Sequence, residues 1–306
     1  MRKRKLGYSD LHLSEVSLGC MNLGTDFSKS TAIIDRALDS GINFLDTADL
    51  YDKGENEKIV GKAIKGRRDQ LIIATKVGNR WEEGRDGWFW DPSKKYIKEE
   101  AKQSLQRLGI DYIDLYQLHG GTIDDPIEET IEAFEELKQE GYIRYYGISS
   151  IRPNVIKRFV EKSSITSVMM QYSMFDRRPE EEMLEFLNKN EIGVLARGPL
   201  TKGMLSAAGS LKIQDKGRDG FLDYSYDELV NMSEQLHDYA TATRNMNALA
   251  LQYVLEHPAI TSAVFGASTV DQLEENLGFL NAETLDELTY QKLKQITKPI
   301  VYKQHR

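Results

Sequence analysis

The chain has 306 residues, 40% apolar and 29% charged, a length that one α/β barrel can account for and a composition that allows a sizeable core. Its formal net charge of -8 argues against a general affinity for nucleic acid or anionic membrane. The single cysteine, Cys20, excludes an intramolecular disulfide framework and argues against a cysteine-based zinc site. The basic start MRKRK leads into GYSDLHLSEV and not into a signal-peptide core, and no run reaches the roughly 18 apolar residues of a membrane span, so the chain reads as soluble and cytoplasmic.

Residues 3–15 alternate around Gly7 and Ser9-Asp10 and read as a short hairpin. Val16-Ser17-Leu18-Gly19 is a brief apolar strand that stops at Cys20-Met21-Asn22. Ile33, Ile34, Ala37 and Leu38 mark a helix from about Ser30 that Gly41 closes. A strand at 43–45 ends on Asp46, a turn carries Tyr51, and a helix follows at 55–65 with Ile59, Val60, Ala63 and Ile64 on one side. The strand at 71–75 ends on Lys76, and residues 77–92 form a long loop that holds all three tryptophans. Pro92-Ser93 opens a helix to about Leu108, and the strand at 112–118 ends on His119.

The alternation continues. A helix from about Ile127 ends at Gly141, a strand at 143–148 ends in Ser149-Ser150, and a helix starts at Pro153. Strand Ser167–Gln171, a helix over 180–190 and a strand at 193–196 come next. The acidic run Glu180-Glu181-Glu182 reads as a charge cluster favoured by the dipole at that helix's N-terminus. A second long loop, roughly 198–225, precedes helical segments that end near His257. After a strand at 261–265 and helix Val270–Leu277, a last helix starts near Thr284, where Thr284 and Glu287 have capping-box spacing.

Eight strands alternate with helices, with no linker or composition break, so residues 1–306 read as a single domain. Several strands are apolar throughout, as in a parallel sheet buried on both faces. A closed (β/α)8 TIM barrel fits this count. The competitor, a doubly wound open sheet, predicts a GxGxxG turn after the first strand. Gly19-Cys20-Met21-Asn22-Leu23-Gly24 does not supply it.

In a barrel the C-terminal ends of the strands converge on one mouth, which would gather Asp46, Tyr51, Lys76 and His119. A phenol with an unperturbed pKa of about 10 is a poor acid at neutral pH. A neighbouring ammonium is expected to lower that pKa, and a carboxylate paired to the ammonium to hold it in place. Tyr51 could then donate a proton to a carbonyl oxygen that His119 orients. No nucleophile or metal is needed, but a hydride source is, which implies a cofactor.

DTADLY, GENEKIVGKAI, ATKVG, DYIDLYQLHG, PIEET, GYIRYYGISS and GASTVDQLEENLGFL, in this order, resemble the aldo-keto reductases. The resemblance implies a (β/α)8 barrel, NADPH-dependent reduction of aldehydes or ketones, and Asp46, Tyr51, Lys76 and His119 as the catalytic tetrad with Tyr51 as proton donor. It also implies cofactor contacts. Ser149 and Gln171 match residues that hold the nicotinamide carboxamide, and Gly19, Cys20 and Met21 match the turn along the nicotinamide and its ribose. Gly266, Ser268, Gln272, Glu275 and Asn276 match the pyrophosphate and adenine side, where the start of helix Val270–Leu277 suits an anion.

The chain departs from the family at two of these places. Ser268 stands where a basic residue often meets the 2′-phosphate, which leaves NADP(H) the expectation over NAD. Arg197-Gly198-Pro199-Leu200 replaces the usual Tyr-containing segment, so a guanidinium takes the place of the ring that stacks on the nicotinamide. Its charge disfavours the positively charged oxidised ring. Arg197, Gly198 and Leu200 are therefore candidate cofactor contacts, as is Gly203 if loop 198–225 folds over the dinucleotide. Trp81, Trp88 and Trp90 are candidates for an apolar substrate wall. The same resemblance extends to the β subunits of potassium channels, so a nucleotide-sensing interaction protein is the alternative reading. The substrate expected is a small aldehyde or ketone.

Overall fold

The computed structural model describes residues 1–306. An antiparallel hairpin, β1 (Lys3–Lys5) and β2 (His12–Ser14), precedes β3 (Val16–Gly19), α1 (Phe27–Asp39), β4 (Phe44–Asp46), α2 (Glu55–Ala63) and β5 (Ile72–Val77). A second small hairpin, β6 (Asn79–Arg80) and β7 (Phe89–Trp90), leads to α3 (Lys94–Leu108), β8 (Ile113–Leu118), α4 (Ile127–Gln139), β9 (Ile143–Ser149) and α5 (Pro153–Lys162). Then come β10 (Ser167–Gln171), α6 (Met183–Lys189), β11 (Gly193–Arg197), α7 (Gly209–Lys216), α8 (Tyr226–His237), α9 (Met246–Glu256), β12 (Ile260–Gly266), α10 (Val270–Leu277) and α11 (Glu287–Ile296).

The eight strands β3, β4, β5, β8, β9, β10, β11 and β12 pair in parallel in chain order, and β12 closes on β3. Between the strands and the outer helices lies the main core, of which Phe134, Ile148, Val168 and Phe265 are part. Inside the barrel, Phe44, Leu115, Met169 and Leu195 form a separate layer with Leu6, Leu11 and Leu13 of the first hairpin. That hairpin therefore plugs the N-terminal end of the barrel and leaves the C-terminal end open for side chains.

The structure corrects several local expectations. Helix α1 starts at Phe27, because the Asp26 carboxylate accepts from the Lys29 N–H at 3.1 Å. The last helix is not capped by Thr284 and Glu287. Asp286 is the cap: it accepts from both the backbone N–H and the hydroxyl of Thr289, at 2.9 and 2.7 Å, and a carboxylate is favoured by the helix dipole. Segment 198–225 is no bare loop, since α7 lies within it. The acidic run does stand at the start of α6, with Glu182 at the N-cap position, and its carboxylates are also paired across the fold. Glu180 pairs with Arg177 and Lys294 and accepts from Tyr172 and Tyr253, Glu181 pairs with Arg306, and Glu182 pairs with Lys157.

Candidate active site

Register carries the candidate residues to one rim. Gly266 pairs with Gly19 and Gly19 with Asp46, while Lys76 pairs with Gln117 and Gln171 with Arg197. His119 follows the last residue of β8, and its N–H donates to the Val77 carbonyl at 2.7 Å. Tyr51 opens a tight turn after β4 in which Asp52 and Lys53 hold φ of 49° and 54°. Left-handed backbone at two non-glycine residues is costly and persists where surrounding structure fixes it.

Lys76 is the hub, only 1% exposed. Its three N–H groups are all engaged: with the Asp46 carboxylate at 2.7 Å, the Thr47 carbonyl at 2.8 Å and the Tyr51 hydroxyl at 3.2 Å. Burial alone would pull its pKa down, but Asp46 and Tyr51 reverse this and raise it, so the ammonium persists. Gln117 donates to the other Asp46 oxygen at 3.2 Å. Sequence reasoning missed Gln117. It shares a strand face with His119 by the two-residue period, and a glutamine among apolar residues was the available signal.

The Tyr51 and His119 rings meet edge to face, centroids 5.9 Å apart. His119 Nδ1 is buried without a hydrogen-bond partner. Burial, then the charges of Lys76 and Arg197, push its pKa down to about 3, so the imidazole is neutral. Asn79 fixes the ring's backbone by donating to the His119 carbonyl at 2.9 Å. The expected direction for Tyr51 is reversed. Burial raises the phenol pKa above its ordinary value despite Lys76, whose field is offset by Asp46. A buried phenol beside a neutralised ion pair stays protonated.

On the other side of the rim, Arg197 Nη1 donates to Gln171 Oε1 at 3.2 Å, which leaves the Gln171 amide nitrogen for another acceptor. Ser149, at the end of β9, is 9% exposed. Together they offer the donor and acceptor groups that a carboxamide requires. Cys20 is buried, and burial pushes its thiol up, so it packs and does not act as a nucleophile. Its carbonyl accepts from Asn56 at 2.8 Å, and Thr47 in turn donates to Asn56 at 2.7 Å. This ties the Cys20–Asn22 turn to α2, and Met21 stands exposed upon it.

A Cβ on Gly266 would come within 2.8 Å of the Asn22 amide nitrogen, so the Asn22 side chain would have to turn aside for any larger residue there. Asn276 reaches the Gly266 carbonyl at 3.5 Å and accepts from Asn247 at 2.7 Å. Ser268 donates from its N–H and its hydroxyl to Gln272, both at 3.0 Å, with Glu275 exposed nearby on α10. Gly198 and Gly203 hold left-handed φ of 67° and 87°, with Leu200 half-buried between them. A bare glycine rim lies beside Ser149 and Gln171, and the segment from Ser268 to Glu275 presents neutral donors and one carboxylate.

The tryptophans separate. Trp90 lies against Gly78 and Gly120, where a Cβ would approach its ring to 2.6 and 3.2 Å, and donates to Asp125 at 2.9 Å. That ring walls the mouth beside His119. Trp81 is half-buried with Lys53 over its face, and Trp88 is 56% exposed.

The Aldo/keto reductase family model matches residues 15–298. The chain is 57% identical to the uncharacterized oxidoreductase YqkF of Bacillus subtilis, covering 100% of both chains. It is 31% identical to the NADH-specific methylglyoxal reductase of Escherichia coli, over 94% of this chain and 95% of that one. Among solved structures, the holo form of the aldo-keto reductase AKR11C1 from Bacillus halodurans superposes with a TM-score of 0.93 at 55% identity, covering 100% of this chain and 99% of that one.

Proposed function

The chain belongs to the aldo-keto reductase family of oxidoreductases, and from that premise we propose that it is an NADPH-dependent reductase of aldehydes and ketones with Tyr51 as general acid. The observation that carries the reading is the buried relay Asp46–Lys76–Tyr51 with a neutral imidazole against the phenol. Bound reduced nicotinamide would supply the hydride. Tyr51 gives its proton to the carbonyl oxygen as negative charge develops there, and Lys76 stabilises the phenolate left behind. Asp46 keeps the Lys76 ammonium aimed at the phenol. His119, being neutral, orients the same oxygen without competing as the proton source.

Ser149 and Gln171 would hold the carboxamide, and Gly19, Cys20, Met21, Arg197, Gly198, Leu200 and Gly203 would line the nicotinamide half. Gly266, Ser268, Gln272, Glu275 and Asn276 would meet the adenine half. The preference for NADPH rests on the family resemblance, with the Gln272 amide nitrogen as a donor to the 2′-phosphate and the Ser268 donors turning to it from Gln272 Oε1. Because one relative is named NADH-specific, affinities for both cofactors are to be measured side by side. Tighter NADH binding would overturn the NADPH assignment alone.

The activity test follows loss of NADPH absorbance with an activated aromatic aldehyde. Tyr51→Phe should lower kcat about 100-fold or more, the usual weight of a positioned general acid. Full activity in that variant would sink the assignment of Tyr51. Cofactor binding without turnover of any carbonyl would favour the nucleotide-sensing alternative.

A further inference from the structure

The proton transfer proposed above needs two segments in register, the turn that carries Tyr51 and the strand β5 that carries Lys76. Their direct link is the weakest at the site. Of the three contacts of the Lys76 ammonium, the one to Tyr51 is the longest, at 3.2 Å against 2.7 and 2.8 Å. The turn also holds itself loosely. Its N–H bonds from Tyr51 to the Ala48 carbonyl and from Lys53 to the Leu50 carbonyl are both 3.2 Å, and its backbone is left-handed at Asp52, Lys53 and Gly54. A segment in that conformation takes its place from the structure around it.

The structure around it is α3. Tyr96, Glu100, Ser104 and Arg107 stand three or four residues apart and so form one polar stripe along this helix. Near the start of the stripe, the Tyr96 hydroxyl donates to Asp49 Oδ2 at 3.0 Å. Asp49 is the joint between the two segments. Its N–H donates to the carbonyl of Lys76 at 3.3 Å, and its Oδ1 accepts from the N–H of Leu50, the neighbour of Tyr51, at 2.7 Å. At the other end of the stripe, Arg107 lies under Gly54, where a Cβ would come within 2.7 Å of Arg107 Cδ. The same guanidinium donates to Glu57 at 2.6 Å, and Glu57 accepts from Thr75, the residue before Lys76, at 2.5 Å. Ser104, at 3.0 Å, and Glu100 fix the guanidinium in turn. The stripe therefore reaches both segments from each of its ends.

We propose that Asp49 and Tyr96 are positioning residues for the reduction: the pair ties the Tyr51 turn and the Lys76 backbone to α3, and so holds the phenol within reach of the ammonium. The proposal rests on the reductase reading above and adds to it a hold that comes from an outer helix. Asp49 is fully buried and Tyr96 is 7% exposed, so the pair acts through Tyr51 and Lys76 and not on substrate. Misplacing a reacting group by about 1 Å can cost about 100-fold in rate, so loosening one of the two ends of this hold should cost about tenfold.

The test is the rate of hydride transfer in a single turnover of NADPH-loaded protein with an activated aromatic aldehyde, which separates chemistry from binding and product release. Tyr96→Phe keeps the ring and removes the hydroxyl. It should slow hydride transfer about tenfold, with the KM for aldehyde and the Kd for NADPH within about twofold of wild type. Asp49→Ala should slow it at least as much. Asp49→Asn keeps an acceptor for Leu50 and a polar group facing Tyr96, and should restore most of the rate. Leu13→Ala, a core variant at the far end of the barrel, controls for lost stability and should transfer hydride at the wild-type rate. If Asp49→Ala does not fold, Tyr96→Phe decides. An unchanged rate in Tyr96→Phe, a loss confined to KM or cofactor affinity, or an equal loss in Leu13→Ala overturns the proposal. If wild type reduces no aldehyde with either cofactor, the reductase reading fails, and a crystal structure of Tyr96→Phe decides the positioning. A Tyr51 hydroxyl moved out of hydrogen-bonding reach of Lys76 supports it; a contact kept at the wild-type distance overturns it.

Discussion

Tyr51 and His119 share one positive field, from Lys76 and Arg197, and answer it in opposite ways. For the imidazole, burial and the two cations act together, and its pKa falls to about 3. For the phenol, burial opposes the cations and wins, so the proton stays on. The sign for catalysis follows. Carbonyl reduction by the proposed mechanism needs protonated Tyr51 and neutral His119, both present from weakly acidic to weakly alkaline pH, so kcat/KM should be flat there. It should fall only as pH rises past the ordinary phenol value of about 10. A pH–rate profile of reduction checks this, and an inflection near pH 6.5 that vanishes in His119→Gln would contradict the neutral imidazole. The four tetrad residues were legible because each ends or follows a strand. The direction of the Tyr51 shift was not, since it depends on burial depth and on how far Asp46 offsets Lys76. Gln117 and Asn56 were missed for a similar reason: each is one polar side chain whose partner lies on another element.

Between barrel and outer layer, α2 and α3 enclose an acidic cluster beneath the Tyr51 turn. Asp49 is fully buried and accepts from the Leu50 N–H at 2.7 Å and the Tyr96 hydroxyl at 3.0 Å. Glu57 and Glu100 lie near it, both paired to the single guanidinium of Arg107, with Arg80 stacked on the Tyr96 ring. Burial, then the charges of Glu100 and Glu57, hold the Asp49 carboxyl well above the usual carboxylate range. The fold therefore keeps a proton that the unfolded chain releases, and stability drains away as pH rises above about 4. Asp49→Asn removes that titration and keeps the acceptor for Leu50. Urea unfolding should show the variant more stable than wild type at pH 8, by on the order of 1 kcal/mol or more, with little difference at pH 4. An equal gain at both pH values, or a loss at pH 8, would contradict a protonated Asp49. The helices and strands themselves were readable from apolar spacing. Their ends were less so: Asp286 displaced the Thr284 capping box because a carboxylate with two donors from Thr289 outcompetes a hydroxyl, and α7 hid in a segment whose helix is short and largely polar.

The whole molecule is a barrel with two unlike ends. At the mouth, polar groups are gathered and several carry strain or buried charge, which a fold sustains only if it is held firmly elsewhere. The other end supplies that hold. Leu6, Leu11 and Leu13 of the first hairpin enter the inner layer with Phe44, Leu115 and Leu195, so one small element touches many of the barrel strands at once. Arg4 adds two bonds from the hairpin to the carbonyls of Leu255 and Ile260, at 2.9 and 3.0 Å, next to the seam where β12 meets β3. At that seam Ser17 and Ser262 share a hydroxyl contact at 2.5 Å, and Ser262 donates to the Ser14 carbonyl at 2.8 Å. If the plug closes the barrel and does not merely decorate it, a cavity there should weaken the whole fold in one step. Leu13→Ala should lower the unfolding free energy by about 2–5 kcal/mol, the range for a buried leucine, with a single transition of unchanged slope. Because the plug lies at the end of the barrel opposite Tyr51, kcat of the folded variant should stay at the wild-type value. Two separate transitions in a urea titration followed by tryptophan fluorescence and circular dichroism would show instead that the hairpin detaches on its own. The barrel would then owe its closure to the strand seam alone.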